Sequence, residues 1–356
     1  MSRDCKSNKD KIEYLRRHRA RYPHFDAAPD DKFIADIAEG KYAFRQHPFY
    51  PALGREQRAR RFPRSKEPAR QEDGSSVHTK KRPIRYPARK DRIIFSSFCY
   101  DLADCYEKWL KTFSLDRSVL AYRKAGSNID HAKRFFEAVE EMAPCYVLCL
   151  DIKGFFDNIG HKRLKASVEY IWRFGTGEGL SPDHIHVLRS LMKAAYVDEK
   201  DVRHLRVLAR QRGRSQITYP CMFRRLVEQG KIRIHKKVED WGIPQGFASS
   251  DLLSNIHMAV FDLAMARITE NGWYGRYADD IALIVPAPDH ASDEDDRDYT
   301  KRIEDTVSHI LSNTDENLAI GPEKTKPFVV RADKGDFEIK FLNQNEGSKI
   351  QYLGFE

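Results

Sequence analysis

The sequence predicts a mixed α/β (α+β) protein in which helices flank an antiparallel sheet. Two strand patterns support this class: an apolar run at 145–151 that ends in an acid, and a strand–turn–strand pattern at 273–285. Helical periodicity at 129–141 and 250–268 supplies the third observation. The length of 356 residues suggests two or three structural units, and 41% apolar residues exclude a wholly disordered chain.

The first 84 residues are predicted to form a basic N-terminal extension and linker. We expect a helix at 11–21, a stretch rich in Tyr, Phe and Arg at 42–63, and a polar linker at 65–83. Residues 1–90 hold 24 Lys and Arg against 12 Asp and Glu. Such an excess of positive charge is typical of a segment that binds a polyanion, and a solvated segment that binds nothing is the alternative.

The rest of the chain is predicted to be globular, in four parts. Their bounds are 85–144, 145–170, a basic insert at 171–237, and 238–356. The elements expected within them are a short strand at 92–95, helices at 100–113, 129–141 and 162–174, a turn at 242–246, a helix at 250–268, the hairpin at 273–285, an acidic surface loop at 289–298, a helix at 299–311 and an edge element at 352–356. Inside the insert, residues 202–237 carry 11 Lys and Arg and one acid.

The cysteines and histidines do not form a recognisable metal motif. The six cysteines are scattered without a C-x-x-C pair, which favours reduced thiols in a cytoplasmic protein. Cys145 and Cys149 should share one buried face of a strand. His184 and His186 could in principle hold a metal, but residues i and i+2 of a helix do not face each other. No apolar run is long enough to span a bilayer, so we expect no membrane contact.

Three acids stand where predicted strands end: Asp151, Asp279 and Asp280. A carboxylate at the end of an apolar strand is costly unless something compensates its charge, and adjacent Asp279 and Asp280 repel each other. A divalent cation relieves that repulsion, and Mg²⁺ takes few protein carboxylates while leaving positions for substrate phosphates. Each acid taken alone is equally consistent with a turn cap or a solvated loop.

Five segments, in order, resemble motifs of the reverse transcriptase family. The first is Asp151-Ile-Lys-Gly-Phe-Phe-Asp157, and the second is Gly242-Ile-Pro-Gln-Gly246 followed by Ser250, Leu253 and Asn255. The third is Tyr277-Ala-Asp-Asp280, the fourth is Leu318 to Thr325, and the fifth is Leu353-Gly-Phe355. The resemblance implies a right-hand polymerase fold with fingers at 85–144, a palm at 145–170 and 238–356, and an insert between them. The fifth motif would be the primer-grip turn.

The resemblance also implies roles for individual residues. Metal ligands would be Asp151, Asp279 and the Ile152 carbonyl, supported by Asp280; catalysis would need the three acids and Lys324, which would act as a general acid toward pyrophosphate. Nucleotide contacts would come from Phe156, Gln245 and Gly246, with the Phe156 ring blocking a 2′-hydroxyl. Template or primer contacts would involve Tyr277, Leu353 and Gly354.

Alternatives stay open for several of these residues. Phe156 could pack in the core, because Phe155 is adjacent and one of the two rings must point inward. Lys324 could be a plain surface lysine. Family members hold the triphosphate with basic residues of a hairpin upstream of the first motif, and spacing alone selects Lys90 and Arg92 here. Arg123 is a candidate contact to template or nucleotide. All three of these cations could instead be solvated.

Within the family, the text at 121–133 and the form of the first motif look most like bacterial defence-associated (anti-phage and abortive-infection) enzymes, related to retron and group II intron enzymes. Asp251 stands where retron enzymes commonly have Pro. The sequence stops right after the fifth motif, where a helical thumb would normally begin. We therefore expect no thumb within it: either the sequence is truncated, or the basic extension, a partner chain or a structured RNA grips the duplex.

The resemblance predicts an RNA-directed DNA polymerase acting in antiviral defence. It would use two Mg²⁺ ions, with Mn²⁺ able to substitute, and dNTPs, and it would copy a dedicated noncoding RNA into DNA. A second protein subunit or another copy of the chain is a further expected partner. Two alternatives remain: a template-independent or protein-primed DNA polymerase, and a catalytically weak scaffold that binds RNA.

Overall fold

A computed structural model describes residues 8–61, 78–123, 126–213, 216–333, 336–342 and 349–355. Cys5, Lys124 and residues 65–77 of the predicted linker lie outside these ranges.

The described residues form twelve α-helices and nine strands. The helices are α1 (Asn8–Arg17), α2 (Asp31–Ala38), α3 (Arg89–Thr112), α4 (Asn128–Met142), α5 (Phe155–Asn158), α6 (His161–Thr176), α7 (Pro182–Met192), α8 (Arg203–Gln211), α9 (Pro220–Glu228), α10 (Ala248–His257), α11 (Ala259–Ile268) and α12 (Asp293–Thr314). The strands are β1 (Ala52–Arg61), β2 (His78–Tyr86), β3 (Cys145–Asp151), β4 (Tyr196–Asp198), β5 (Ile234–His235), β6 (Trp273–Tyr277), β7 (Asp280–Pro286), β8 (Lys326–Asp333) and β9 (Asp336–Phe341). Short 3-10 helices cover Phe44–Gln46 and Pro322–Lys324.

The chain divides into two compact units. Unit 1 comprises residues 1–101, 180–239 and 243–250, and unit 2 comprises 102–179, 240–242 and 251–356.

Unit 1 contains a four-stranded sheet in the order β2-β1-β4-β5. Strands β1 and β2 form an antiparallel hairpin, β1 pairs with β4 in parallel, and β4 pairs with β5 antiparallel. The sheet and helices α8 and α9 share a core of Phe25, Leu53, Val197, Val202, Ile217, Phe223 and Ile232. The basic insert therefore contributes strands and core residues to unit 1.

The N-terminal residues pack into the same unit. Leu15, Phe25 and Ile34 are fully buried. The Asp26 carboxylate accepts hydrogen bonds from the backbone N–H groups of Arg89 (3.0 Å) and Lys90 (2.6 Å) and so caps helix α3.

Two expectations for the region before the first motif were wrong. Residues 92–95, expected as a strand, lie in the first turns of α3, because a four-residue apolar run fits a buried helix as well as a strand. Residues 78–83, expected as linker, belong to strand β2, whose backbone pairs with β1 despite its polar sequence.

Unit 2 is built on a five-stranded antiparallel sheet in the order β6-β7-β3-β8-β9. Strand β3 lies in the middle, and six of its seven residues are buried. One face of the sheet packs against α4 and residues 350–353, and both Cys145 and Cys149 lie in that core, as expected. Helices α11 and α12 contact strands of the same sheet, and the Tyr146 hydroxyl donates to Asp296 of α12 at 2.7 Å.

Two helix boundaries and the last described turn differ from expectation. The stretch 250–268 is two helices, α10 and α11, with a break at Met258. Helix α12 begins at Asp293, inside the expected acidic loop. Ser292 caps it by accepting from the Asp295 N–H, and the four acids of its first turn favour the positive end of the helix dipole. Residues 352–355, expected as part of an edge element, form a turn in which Tyr352 and Phe355 pair with each other.

Among the helices in the described ranges, none combines the length and the apolar character needed to cross a bilayer. Cys99, Cys105, Cys145, Cys149 and Cys221 carry reduced thiols.

Candidate active site

Asp151 and Asp280 face each other on neighbouring strands of unit 2. Strand β3 ends at Asp151, strand β7 begins at Asp280, and the two residues are directly paired in the antiparallel register. Directly opposed residues point to the same face of a sheet, with Cβ atoms about 4.5–5.5 Å apart. Both residues are half-buried. The register therefore brings together two acids that are 129 positions apart in the chain.

Asp279 lies in the tight turn that joins β6 to β7. Tyr277 pairs with Asp280, so Ala278 and Asp279 form a two-residue loop. Ala278 has φ of +58°, a left-handed conformation that costs a non-glycine residue about 1–2 kcal/mol. The Asp279 carbonyl accepts the Ile152 N–H at 3.1 Å, which ties this turn to the residue after β3.

Lys324 lies against the Asp151 carboxylate. Its Nζ is 2.6 Å from both Oδ1 and Oδ2 of Asp151. The preceding chain is held in place because the Gly321 N–H donates to the Asp151 carbonyl at 2.8 Å. Lys324 keeps 58% of its side chain exposed. The ammonium is thus paired with Asp151 while the side chain lies at the protein surface.

The two adjacent phenylalanines after Asp151 have different surroundings. Phe155 is buried and Phe156 is half-exposed. The Phe156 ring meets the ring of Tyr122 edge-on, with centroids 6.5 Å apart. Tyr122 is 48% exposed and has φ of +61°. Of the two rings, Phe155 fills the core position and Phe156 points outward toward Tyr122.

Tyr277 belongs to an aromatic group that includes the last described turn. His131 of α4 lies between Tyr277 and Tyr352, with ring centroids 6.2 and 5.6 Å away. Its Nε2 is 3.0 Å from the Tyr352 hydroxyl. Burial, helped by Arg134, lowers the pKa of His131 to about 4, so the ring is neutral at pH 7. Leu353 and Gly354 follow with φ of +51° and +87° in a turn closed by Tyr352 and Phe355.

Arg123 is buried, with 4% of its side chain exposed. Its Nε and Nη2 donate to the Glu107 carboxylate at 2.7 Å each, and Nη1 donates to the Asp116 carbonyl at 2.8 Å and also to the Val119 carbonyl. This geometry favours a structural role for Arg123, because the guanidinium is already used to hold the 116–123 segment.

In unit 1, Gln245 and Gly246 lie against the end of strand β2. The Gln245 carbonyl accepts the Arg85 N–H at 2.8 Å. Gly246 has φ of +97°, and a Cβ there would lie 2.6 Å from Ile84 Cγ2 and 2.7 Å from the Arg85 carbonyl. Only glycine fits, and the requirement comes from the packing of this turn on β2.

Lys90 and Arg92 are helical and face the N-terminal segment. Their position on a hairpin was expected wrongly, because the hairpin of this region is β1–β2 and both residues lie in α3. Lys90 Nζ is 5.1 Å from the Phe33 ring centroid, and Arg92 Nε donates to the His18 carbonyl at 2.8 Å. Both cations thus have partners from residues 18–33.

The hairpin itself borders a basic groove of about 770 Å³ in unit 1. Six basic and three acidic side chains line it: Arg55, Arg58, Lys81, Arg85, Lys200 and Arg203, with Glu56, Asp198 and Glu199. The Arg85 guanidinium stacks on the Tyr196 ring at 3.6 Å, and that ring stacks on His235 at 4.7 Å. The sequence analysis did not select Arg85, although Arg85 lies only five residues before Lys90, one of the two predicted triphosphate contacts.

A match between the sequence and a family model shows which family the chain belongs to. The family model for reverse transcriptase (RNA-dependent DNA polymerase) matches residues 79–356, which include Asp151, Asp279, Asp280 and Lys324. The chain belongs to the reverse transcriptase family. The resemblance found in the five motifs is confirmed at this level, and so is the right-hand polymerase fold class.

Solved structures similar to this reverse transcriptase family member include telomerases from Candida tropicalis. The apo form is 14% identical and aligns over 70% of this chain and 42% of its own, with a TM-score of 0.43. The form truncated from the C-terminal domain is 16% identical and aligns over 74% of this chain and 51% of its own, with a TM-score of 0.43. The complex with the TWJ fragment of telomeric RNA is 14% identical over 77% and 41%, TM-score 0.44. The chain thus spans about half or less of these telomerase chains. No curated protein matches it in sequence.

Members of the reverse transcriptase family use divalent metal ions, so the fit of this site to Mg²⁺ matters. Across the described ranges, no group of three or more His, Cys, Asp and Glu side chains is arranged to hold a metal. What the site offers is the opposed pair Asp151 and Asp280, with Asp279 beside it. Mg²⁺ is usually held by one or two carboxylates plus substrate phosphates and water. The oxygen donors present fit that mode.

Proposed function

We propose that this chain is an RNA-directed DNA polymerase whose reaction centre is the Asp151–Asp280–Lys324 group. The observation that carries the proposal is the register of β3 and β7, which opposes two carboxylates, with an ammonium 2.6 Å from one of them. Family membership supports the reaction class. Divalent ions, when bound, activate a 3′-hydroxyl and stabilise the pyrophosphate leaving group.

The protein's own groups divide the work. Asp151, Asp279 and Asp280 supply carboxylate oxygens for the ions, with the Ile152 carbonyl as a further donor. Lys324 brings three N–H donors and one positive charge to the place where negative charge develops on the leaving pyrophosphate, and it can donate a proton there. A preorganised cation of this kind acts with little reorganisation during the reaction.

Phe156 would select the sugar. Its half-exposed ring follows Asp151 by five residues and points away from the core filled by Phe155. We propose that a 2′-hydroxyl would collide with this ring, so that deoxynucleotides are preferred.

In unit 1, cations would bind phosphate groups. The basic groove beside the β1–β2 hairpin is better suited to this than Lys90 and Arg92, which already contact Phe33 and His18. Gln245 and Gly246 remain proposed nucleotide contacts. Tyr277, Leu353 and Gly354 remain proposed contacts to template or primer.

The basic insert would bind RNA. Seven exposed cations of residues 203–233 make no ion pair within the described part of the chain: Arg203, Arg210, Arg212, Arg224, Arg225, Lys231 and Arg233. Unpaired surface cations are the groups that neutralise phosphates and release counterions. We propose a dedicated noncoding RNA as template and a role in bacterial antiviral defence. The RNA template and the defence role are both supported by the resemblance of residues 121–133 and of the first motif to defence-associated enzymes.

The test is nucleotide incorporation in Mg²⁺ by the purified protein with its co-purified RNA. Asp151→Asn and Asp280→Asn should each lower the rate by more than about 100-fold, because each removes a charge that holds the ions. Glu316→Gln, an exposed charge-neutralising change in the same unit, is the matched control and should retain wild-type rates. Chelation of Mg²⁺ should abolish the signal.

The outcomes separate the alternatives. DNA product that disappears after RNase treatment supports templated synthesis. Product that survives RNase points to template-independent or protein-primed synthesis. No product from the wild-type protein, with RNA still bound, would replace the polymerase by an RNA-binding scaffold.

A further inference from the structure

A fully buried polar network lies behind the candidate active site in unit 2. Arg276, Asp262 and Asn255 each have no solvent-exposed surface. Arg276 Nε and Nη2 donate to the two oxygens of Asp262 at 2.7 Å each. The Tyr274 hydroxyl donates to the same carboxylate at 2.5 Å. Burial alone would lower the pKa of Arg276, but the Asp262 carboxylate outweighs burial and raises it. The guanidinium therefore stays charged in this buried position.

The network directly contacts the Ala278–Asp279 turn between β6 and β7. Arg276 Nη1 donates to the Ala278 carbonyl at 3.0 Å. Ala278 is the residue held at φ of +58°, and its neighbour is Asp279. A strained backbone conformation persists only where the surroundings determine it. The hydrogen bond from Arg276 holds the Ala278 backbone in this conformation from the buried side of the turn.

The same guanidinium reaches a second strained segment through Asn255. Nη1 also donates to Asn255 Oδ1 at 3.1 Å, and Asn255 Nδ2 donates to the Ala121 carbonyl at 2.7 Å. The next residue is Tyr122, held at φ of +61° with its ring against Phe156. A backbone bond supports the link, since the Arg276 N–H donates to the Ser118 carbonyl at 2.8 Å.

We propose that Arg276, Asn255 and Asp262 are positioning residues that fix two parts of the active site against each other: the Ala278–Asp279 turn and the Tyr122–Phe156 ring pair. The proposal rests on the proposed polymerase function. In it, Tyr122 is a specificity residue, because it limits how far the Phe156 ring can move from an incoming sugar. Loss of the network should therefore change sugar discrimination as well as rate.

Unit 2 contains a second, partly buried network of the same composition that serves as a control. Arg331 Nη2 donates to both oxygens of Asp296 at 3.0 and 2.8 Å, and Tyr146 donates to the same carboxylate. Asp296 is fully buried, as Asp262 is. This second Asp–Arg–Tyr group joins α12 to β3 and β8, and none of these three hydrogen bonds involves the turn at 278 or the segment at 119–123. Damage to it reports the cost of losing an ion pair to a buried aspartate by itself.

The experiment compares Arg276→Lys, Asn255→Ala and Arg331→Lys in the full chain with its RNA. Arg276→Lys should lower kcat for a correct dNTP by about 100-fold, because displacements near 1 Å at a reacting centre have effects of that size. Asn255→Ala should raise the ratio of rNTP to dNTP incorporation about tenfold. Arg331→Lys should lower Tm without changing that ratio.

Hydrogen exchange gives a readout independent of activity. Arg276→Lys should speed exchange at 277–280 and at 118–123 together, whereas Arg331→Lys should speed it in α12 and β8. The inference is overturned if the two segments respond separately, or if Arg276→Lys and Asn255→Ala affect kcat and sugar discrimination no more than Arg331→Lys does at equal loss of Tm. A wild-type protein without incorporation would count against the polymerase function, and the exchange data would still decide whether the network couples the two segments.

Discussion

Single positions in this site take their roles from small differences in exposure. Phe155 and Phe156 are neighbours of one chemical type, and the four-residue helix α5 turns one ring inward and the other toward Tyr122. Gly154, with φ of +58°, precedes this helix and sets its direction. The pattern Phe-Phe could not assign the rings, and their burial does.

Phe156→Val should admit ribonucleotides. Removing the ring leaves space for a 2′-hydroxyl, and differences of this size in a pocket change discrimination by about 10–200-fold. The measurement is the ratio of rNTP to dNTP incorporation. Phe155→Leu is the control, because it should cost about 1 kcal/mol of folding free energy and leave the ratio unchanged. An unchanged ratio in Phe156→Val would remove Phe156 from sugar selection.

Elements position the remaining residues through contacts between segments distant in sequence. Helix α3 begins at Arg89 because Asp26, 63 residues earlier, accepts its first N–H groups. The turn at 242–246 is held on β2 by the bond from the Arg85 N–H to the Gln245 carbonyl. The first arrangement requires the N-terminal residues to pack within unit 1, and the second requires the β1–β2 hairpin to do so.

Gly246→Ala tests how tightly this turn is packed. The left-handed φ should cost about 1–2 kcal/mol, and the collision with Ile84 and the Arg85 carbonyl should add about 1–3 kcal/mol. Gly40→Ala is the matched control in the same unit, because Gly40 has φ of +72° and open space where a Cβ would lie. Urea denaturation followed in unit 1 measures both. Equal losses of stability in the two variants would contradict the packing argument.

At the scale of the whole molecule, charge is distributed unevenly around a net value of +9. Residues 202–237 concentrate exposed cations, and the first turn of α12 concentrates four acids. In unit 2, the exposed Lys133 and Lys301 pair within their helices with Glu137 and Asp305. In the insert, by contrast, 11 Lys and Arg stand against one acid within 36 residues.

RNA binding should depend steeply on salt through these cations. Replacing both Arg224 and Arg225 by Gln should weaken single-stranded RNA binding and reduce the slope of log K against log salt by about 1.4, since each lost contact to a single strand removes about 0.7. Titrations between low and high salt measure the slope. Lys133→Gln with Lys301→Gln is the control of equal charge change. A slope unaffected by the Arg224 and Arg225 changes would exclude them from the RNA contact.

The sequence by itself predicted the family and the central architecture. The apolar run at 145–151, the hairpin at 273–285 and the spacing of the five motifs depend on local patterns, and these predicted the strands, the acids at their ends and the family. Local patterns also place Phe156 in the first motif and Lys324 in the fourth, although they left each with a second interpretation; the contact between Lys324 and Asp151 comes from the fold.

Only the tertiary structure decided which charged side chains bond to other groups of the protein. Arg123, Arg92 and Arg276 look alike in the sequence as cations near motifs. Arg123 donates to Glu107, Arg92 donates to the His18 carbonyl, and Arg276 is buried against Asp262 beside the Ala278–Asp279 turn. Their partners lie 14 to 74 residues away. A guanidinium can be buried only where distant elements bring acceptors to it, and that condition is set by packing, not by neighbouring residues.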